Sequence, residues 1–258
     1  MDAIVTAGGV PGPGEPLYEL TQGRSKALLE IEGRPMGQWV LDALSTSTQV
    51  GRVVITGLDA GSGLRCTHPL VFLPNQGSMM DNILAGVRKL FELDSATDRV
   101  MIVSSDVPAV TPQIIDWVAQ SSLESEHDIY YSVITRAVME ARFPGSRRTY
   151  VHLKDMELCG GDVNVVRAGL ALSDRGLWRQ IIAERKNPLK QASLIGFDTL
   201  WMVLFRQFTL QAAAARAGER LGLRARAMLS PYAELGMDVD KPHQLEIIRA
   251  DLARRRGA

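Results

Sequence analysis

The stretch Ala3-Ile4-Val5-Thr6-Ala7-Gly8-Gly9, followed by Arg24-Ser25-Lys26-Ala27-Leu28-Leu29, decides how this chain is read. An apolar, β-branched segment runs straight into two glycines. A loop follows, and then a single lysine leads into a second apolar segment. Glycines without side chains let backbone N–H groups approach an anion closely. A lysine at the edge of a buried segment has a fixed direction and acts as a point charge. Together they suit a backbone that cradles nucleotide phosphates. The alternatives are an ordinary surface loop and a solvated lysine.

The loop fits neither familiar phosphate motif. No Gly-Lys-Ser/Thr closes it, as a P-loop requires. Pro11 and Pro13 interrupt a dinucleotide fingerprint, and no helix opens at once. Gly12, Gly14 and the prolines are expected to keep it non-helical. The same prolines argue against an NAD-dependent oxidoreductase.

Outward from this stretch, apolar runs and amphipathic segments alternate. Arg52–Gly57, Val71–Leu73 and Arg99–Ser104 read as strands. Met36–Leu44 has helical spacing. Met79–Leu93 has it too, with Ile83, Val87, Leu90 and Phe91 on one side. Thr111-Pro112 reads as an N-cap and first position of a further helix. This βαβα rhythm predicts an α/β fold with a mostly parallel sheet and helices on both faces.

Later, Tyr130–Thr135, Thr149–Leu153 and Arg224–Leu229 read as strands. Ser173–Arg185, Phe208–Leu221 and Pro242–Arg255 read as helices. The expected organisation is two halves sharing one sheet.

Composition sets outer bounds. The chain has 258 residues, with 46% hydrophobic content, enough for a substantial core. Lys+Arg and Asp+Glu both number 29, a balance that argues against nucleic-acid binding. The basic run Arg254–Arg256 reads as a solvated helix terminus that complements the dipole. No apolar run reaches membrane-spanning length, and no signal peptide is evident. Two cysteines without metal-ligand spacing point to a reduced, cytoplasmic protein.

Asp106 is the sharpest single residue. It follows the Arg99–Ser104 strand, at the sheet edge where ligands collect in open α/β folds. A carboxylate there suits Mg²⁺, which prefers one or two hard oxygens plus water and phosphate. The structural alternative is a turn or helix-cap aspartate. Asp238-Val239-Asp240 is the expected partner. In an extended segment its two carboxylates share a face, and Asp240 also suits a helix N-terminus.

Asn75, Gly77, Ser78 and Asn82 join a strand to a helix and are candidates to hold base and ribose; Ser78 is equally suited to plain capping. Cys159-Gly160-Gly161-Asp162-Val163-Asn164 reads as a tight turn lining an acceptor pocket, with Asn164 as a polar contact, or as a β-bulge. Arg142, Arg147, Arg148 and Lys154 form a basic group suited to an acceptor phosphate or to solvent. The four histidines read as structural.

Taken in order, Ala7-Gly8-Gly9, Ser25-Lys26-Ala27-Leu28-Leu29, Gly33-Arg34-Pro35-Met36, Asp106-Val107-Pro108, Gly160-Gly161 and Asp238-Val239-Asp240-Lys241-Pro242 resemble the NTP-transferase superfamily. Its members include molybdenum-cofactor guanylyl- and cytidylyltransferases, sugar-phosphate nucleotidyltransferases and methylerythritol-phosphate cytidylyltransferase. The resemblance implies a Rossmann-like, three-layer α/β/α fold of the GT-A-like kind. It implies one nucleotidyltransferase domain, with residues 1–125 as the nucleotide half and 126–258 as the acceptor half.

The implied reaction joins an NMP group from an NTP, CTP or GTP favoured, to a phosphorylated small-molecule acceptor and releases pyrophosphate. By resemblance, Lys26 contacts phosphate, and Asp106 and Asp240 hold Mg²⁺, with Mn²⁺ as an alternative. Ala7, Gly8 and Gly9 form the nucleotide loop, and Gly160, Gly161 and Asn164 the acceptor side. Ser25 stands where proline is usual. The Val10–Gly23 loop lacks the usual Gly-x-Gly-x-Arg, and Arg24 is the candidate substitute. A monomer or homodimer is expected, with no nucleic-acid or membrane partner. The rival expectations are a glycosyltransferase using a nucleotide-sugar and a non-catalytic nucleotide sensor.

Overall fold

The computed structural model describes residues 1–172, 209–220 and 222–257. Strand β1 (Asp2–Thr6) is followed by a single helical turn, α1 (Tyr18–Thr21), and a 3₁₀ turn at Lys26–Leu28. The Val10–Gly23 loop is therefore not free of helix: Leu17 is buried and anchors the turn. A small hairpin, β2 (Glu30–Ile31) and β3 (Arg34–Pro35), leads into α2 (Met36–Thr46). Then come β4 (Val53–Thr56), β5 (Leu70–Leu73), α3 (Met79–Leu93), β6 (Arg99–Ser104) and α4 (Pro112–Leu123). They are followed by β7 (Ile129–Thr135), α5 (Arg136–Arg142), β8 (Val151–His152), β9 (Glu157–Gly160), β10 (Val163–Arg167) and α6 (Ala168–Leu172). The expected helix over 173–185 lies outside the described residues. Helix α7 (Leu210–Arg220), β11 (Ala225–Ser230) and α8 (Pro242–Gly257) complete the chain.

All strands but β2 and β3 form one sheet, ordered β5-β4-β1-β6-β10-β7-β9-β8, with β11 on the free edge of β7. Strands β5, β4, β1 and β6 are mutually parallel. Strand β10 reverses direction against both β6 and β7. The fold is thus the expected three-layer α/β, with a mixed, mostly parallel sheet.

Strand alternation sorts side chains into two layers. Ala3, Val5, Val53, Ile55, Met101 and Val103 join one core with Leu41 of α2, Ile115 of α4 and Ile248 of α8. Ile4, Val54 and Val100 face the other way, onto Val87 and Leu90 of α3. Helix α3 packs so closely there that a Cβ on Gly86 would lie 2.8 Å from Ile4. Phe91 is a correction: it is 39% exposed and stands off the buried face of α3.

Three local expectations also change. Pro112 opens α4 as its first residue, but the Thr111 side chain makes no capping bond. The Thr149–Leu153 strand shortens to β8. The glycine pair at Gly160-Gly161 is a bulge, not a turn. Strands β9 and β10 lie successively along the same edge of β7, with Gly161 N–H donating to Ser132 O at 2.8 Å between them.

The terminal basic run is more than a solvated end. Arg255 reaches the Ala109 carbonyl at 2.8 Å and pairs with Asp251 at 2.9 Å, and Arg256 reaches the Glu32 carbonyl at 2.6 Å. These contacts fasten α8 to the loop before α4 and to the small hairpin. Among the described residues, no helix is long and apolar enough to cross a membrane.

Candidate active site

Two hydrogen bonds fold the lysine segment over the end of β1. Ser25 Oγ donates to the Ala7 carbonyl at 2.6 Å, and Lys26 N–H donates to the Gly9 carbonyl at 2.8 Å. Ser25 also accepts from Ala27 N–H at 3.2 Å. Proline has no hydroxyl to make these bonds, so the serine at this position is a local fastener. The lysine stem then passes alongside Gly9, where an added Cβ would sit in ordinary contact, 3.4 Å from Lys26 Cε.

The Lys26 ammonium ends between two carboxylates. It donates to Asp106 Oδ2 at 2.7 Å and to Asp240 Oδ1. Burial lowers the lysine pKa, but the charges and hydrogen bonds of Asp106 and Asp240 outweigh it, and the net shift is upward. Ser104 Oγ donates to the other Asp106 oxygen at 2.5 Å. Val239 N–H donates to the Asp106 backbone carbonyl at 2.9 Å, which brings the Asp240 segment to the end of β6. The two distant aspartates therefore converge beside Gly9. Asp238 does not join them. Its carboxylate pairs with Arg148, so the Asp238-Val239-Asp240 segment divides its charges between two cations.

Lys26 separates two spaces. A cleft of about 240 Å³ is lined by Gly8, Gly9, Asn75, Gly77, Ser78, Asn82 and Asp106, with Thr6, Met79 and Ser104. A second, of about 380 Å³, is lined by the Val10–Leu17 loop with Asp240 and Lys241. In the first, the amides of Asn75 and Asn82 hold the wall. Asn75 donates to the Gly8 carbonyl at 3.2 Å, and Asn82 donates to Asn75 at 3.1 Å and accepts from Gln76 N–H at 2.9 Å. Ser78 both lines the cleft and caps α3, accepting from Asp81 N–H at 3.0 Å.

Three expected residues stand apart. Ala7 is buried behind the cleft and supports it through its carbonyl. Arg24 is exposed and, among the described residues, lines neither space; its guanidinium donates to the Thr21 carbonyl at 3.4 Å. Gly160 makes room for Tyr131, whose phenol oxygen would lie 2.2 Å from an added Cβ. Gly161 and Asn164 do line a further chamber beyond Ser104. Asn164, however, spends its amide within the bulge, accepting from Ser132 N–H at 2.8 Å and donating to the Gly161 carbonyl at 3.0 Å. Arg142 likewise leaves the expected basic group, pairing with Glu234 and Asp251, both at 2.8 Å.

Two residues emerge that the sequence reading did not single out. Gly57 has φ +102°, and an added Cβ would be 2.3 Å from the Gly8 backbone. Asp162, inside the bulge, has an oxygen that is buried without a hydrogen-bond partner. Burial, then the negative charges of Asp106 and Asp240, push its pKa up to about 7 against the pull of Arg148 and Lys26. Its signal in the sequence is an acidic residue directly after a glycine pair in an apolar run.

The donor set suits a hard cation. Asp106 and Asp240 offer carboxylate oxygens at the mouth of the cleft, and Mg²⁺ is commonly held by one or two carboxylates with substrate phosphates. Among the described residues there is no cluster of three or more His, Cys, Asp or Glu that would form an all-protein cage.

A family model described as a MobA-like NTP transferase domain matches residues 4–230. The chain belongs to this family. A structure described as a hypothetical transferase from Thermus thermophilus is 32% identical, with TM-score 0.81, over 95% of this chain and 98% of that one. The CMP:2-keto-3-deoxy-manno-octonic acid synthetase complexed with CTP is 16% identical, with TM-score 0.60, over 99% of this chain and 98% of that one. A 4-diphosphocytidyl-2C-methyl-D-erythritol synthase is 14% identical, with TM-score 0.59, over 97% of each chain. At these identities the last two speak for the fold. No curated protein sequence matches the chain.

Proposed function

We propose that this member of the MobA-like NTP transferase family transfers an NMP group from an NTP, CTP or GTP favoured, to a phosphorylated small-molecule acceptor. The observation that carries the reading is the Lys26 ammonium held between Asp106 and Asp240 beside Gly8-Gly9.

An acceptor phosphate oxygen forms a bond to the α-phosphorus. The bond from that phosphorus to the bridging oxygen breaks, and pyrophosphate leaves with the electron pair. The protein's task is positioning and charge neutralisation. Gly8 and Gly9 give the triphosphate close access to the backbone. Lys26, in exchanging a carboxylate for a phosphate oxygen, stabilises charge developing on the α-phosphoryl group. Asn75, Gly77, Ser78 and Asn82 hold base and ribose. Asp106 and Asp240 hold Mg²⁺, which supplies charge neutralisation at the phosphate oxygens when bound. An acceptor that is already a phosphate needs no strong base, consistent with the absence of histidine from the lining of either cleft.

The glycosyltransferase alternative needs an Asp-x-Asp pair acting together on a metal. The pairing of Asp238 with Arg148 disfavours it. Pyrophosphate release from the four NTPs, screened with Mg²⁺ against phosphorylated acceptors, tests the reading. Release with one NTP and one acceptor class is expected. Tight NTP binding without pyrophosphate against any acceptor would favour the sensor, and turnover of nucleotide-sugars the glycosyltransferase.

A further inference from the structure

Beyond Asp106 the glycine cleft continues into a chamber of about 330 Å³ between α3, β6, β10 and α6. Thr6, Met79 and Ser104 line both spaces, so the chamber opens onto the nucleotide site. Its walls are apolar, formed chiefly by Met80, Ile83, Leu84, Ile102, Val166 and Leu170. Met79, at the junction, is 66% exposed. A thioether in such a position adapts to ligands of varied shape.

Some of the polar groups around the chamber are occupied: the Asn164 amide closes the bulge, and an Arg167 terminal nitrogen pairs with Glu126. Asp162 Oδ2 and Arg167 Nε are buried without a hydrogen-bond partner, and Tyr131 adds a phenol to the same side, but apolar side chains make up most of the lining. A polyol or sugar would bring several hydroxyls that need partners, and a hydroxyl buried without one is costly. These walls offer few partners and much apolar surface.

We propose that the acceptor carries its phosphate on a hydrocarbon body, and that this body fills the α3–β10 chamber while the phosphate reaches the Lys26 end. The inference rests on the nucleotidyltransferase reading and names the acceptor's class, a hydrophobic phosphomonoester. At roughly 30 Å³ for a water-sized group, the chamber takes on the order of ten methylenes. Each methylene removed from water tightens binding about three- to fourfold.

The test is isothermal titration of the full-length protein with a series of n-alkyl phosphates below their micelle concentrations, and with glycerol 3-phosphate. Affinity is expected to climb with chain length and to flatten near ten carbons. Decyl phosphate is expected to bind at least tenfold tighter than glycerol 3-phosphate. Leu84→Gln, which keeps volume and adds an amide, is expected to weaken decyl phosphate at least tenfold while leaving glycerol 3-phosphate and NTP within twofold. Val166→Thr, nearly isosteric, repeats the test should Leu84→Gln fail to fold.

Equal affinity for the two phosphates, no dependence on chain length, or decyl phosphate binding untouched by either folded variant would overturn the proposal. So would failure of the wild type to bind decyl phosphate, which would mean the protein itself fills the chamber. NTP titrations on the same samples separate the two claims. NTP binding without alkyl-phosphate binding defeats this inference alone. Alkyl-phosphate binding with neither NTP binding nor pyrophosphate release defeats the nucleotidyltransferase reading and leaves the chamber's preference standing.

Discussion

The two sides of β6 build the site by opposite means. On the parallel side, formed by β5, β4, β1 and β6, the loops after the strands and the start of α3 carry glycines and asparagines. Gly8 and Gly57 leave room where an added Cβ would collide, Gly77 holds a positive φ, and the Asn75 and Asn82 amides tie the loops together. On the reversed side, β10 returns against β6, and a bulge holds the Asp162 carboxyl where water cannot reach one of its oxygens. One side is a shape made by missing side chains; the other is an ionisable group set in a buried place by the backbone. A phosphate cradle needs the first, because N–H groups bind anions only where nothing blocks them. The second gives a carboxylate whose protonation depends on its neighbours.

Removing the carboxylate at the seam between the two sides is expected to have the largest effect. Asp106→Ala should abolish pyrophosphate release in an NTP turnover assay. The fold should survive, because Val239 is held by the Asp106 backbone carbonyl and not by its carboxylate. A thermal melt checks that point, and wild-type rates in the variant would remove Asp106 from the proposed metal site. Lys26→Ala comes next. Losing one preorganised charge costs on the order of a hundredfold or more in rate. An unchanged rate would exclude the lysine from the mechanism and leave its ion pairs as purely structural.

The sequence made the parallel side largely legible and the reversed side hardly so. Strand β1, its glycines, Lys26 and Asp106 are close in sequence to the motifs that mark them, and helix α3 starts and stops at the expected residues. Strand alternation and apolar spacing are local signals. What stayed hidden depends on register. Whether Gly160-Gly161 turns or bulges is decided by how β9 and β10 both pair with β7, and no local pattern carries that. The fates of Asp238, Arg142 and Asn164 were hidden for the same reason: their partners lie on other elements. Arg24 stands at the surface, because proximity to Lys26 in sequence does not fix where its side chain goes.

The reversed side can be tested through protons. In an unfolded chain Asp162 titrates near 3.8, and in the folded protein at about 7. Between those values the folded state holds a proton that the unfolded state has released. Stability from this group therefore falls as pH rises from about 4 to 7, and changes no further above that. Asp162→Asn, neutral at every pH, should remove this part of the slope. At pH 8, in chelator-treated buffer, the variant should be more stable than wild type by on the order of a few kcal/mol, with the gap closing toward pH 4. Denaturant melts across that range measure it. Parallel curves for the two proteins would mean that Asp162 is ionised in the fold without penalty.

The parallel side can be tested by adding one methyl group. Gly57 directly follows β4 at φ +102°, a conformation that L side chains rarely adopt, and it lies directly against the Gly8 backbone. In Gly57→Ala the new carbon meets backbone, not a flexible side chain that can swing aside. Either Gly57 or the Gly8 loop has to move. Holding alanine at this φ costs roughly 1–3 kcal/mol, and relief by shifting Gly8 would displace the N–H groups proposed to meet the triphosphate. A melt and an NTP titration therefore distinguish two outcomes. Loss of stability with NTP affinity intact says that the strain stays in β4 and the cradle is rigid. Loss of NTP affinity with little change in melting says that the loop yields, and that Gly57 shapes the cradle from behind without lining it. An alanine variant unaltered in both would show that the close approach of Gly57 to Gly8 has no part in building the cleft.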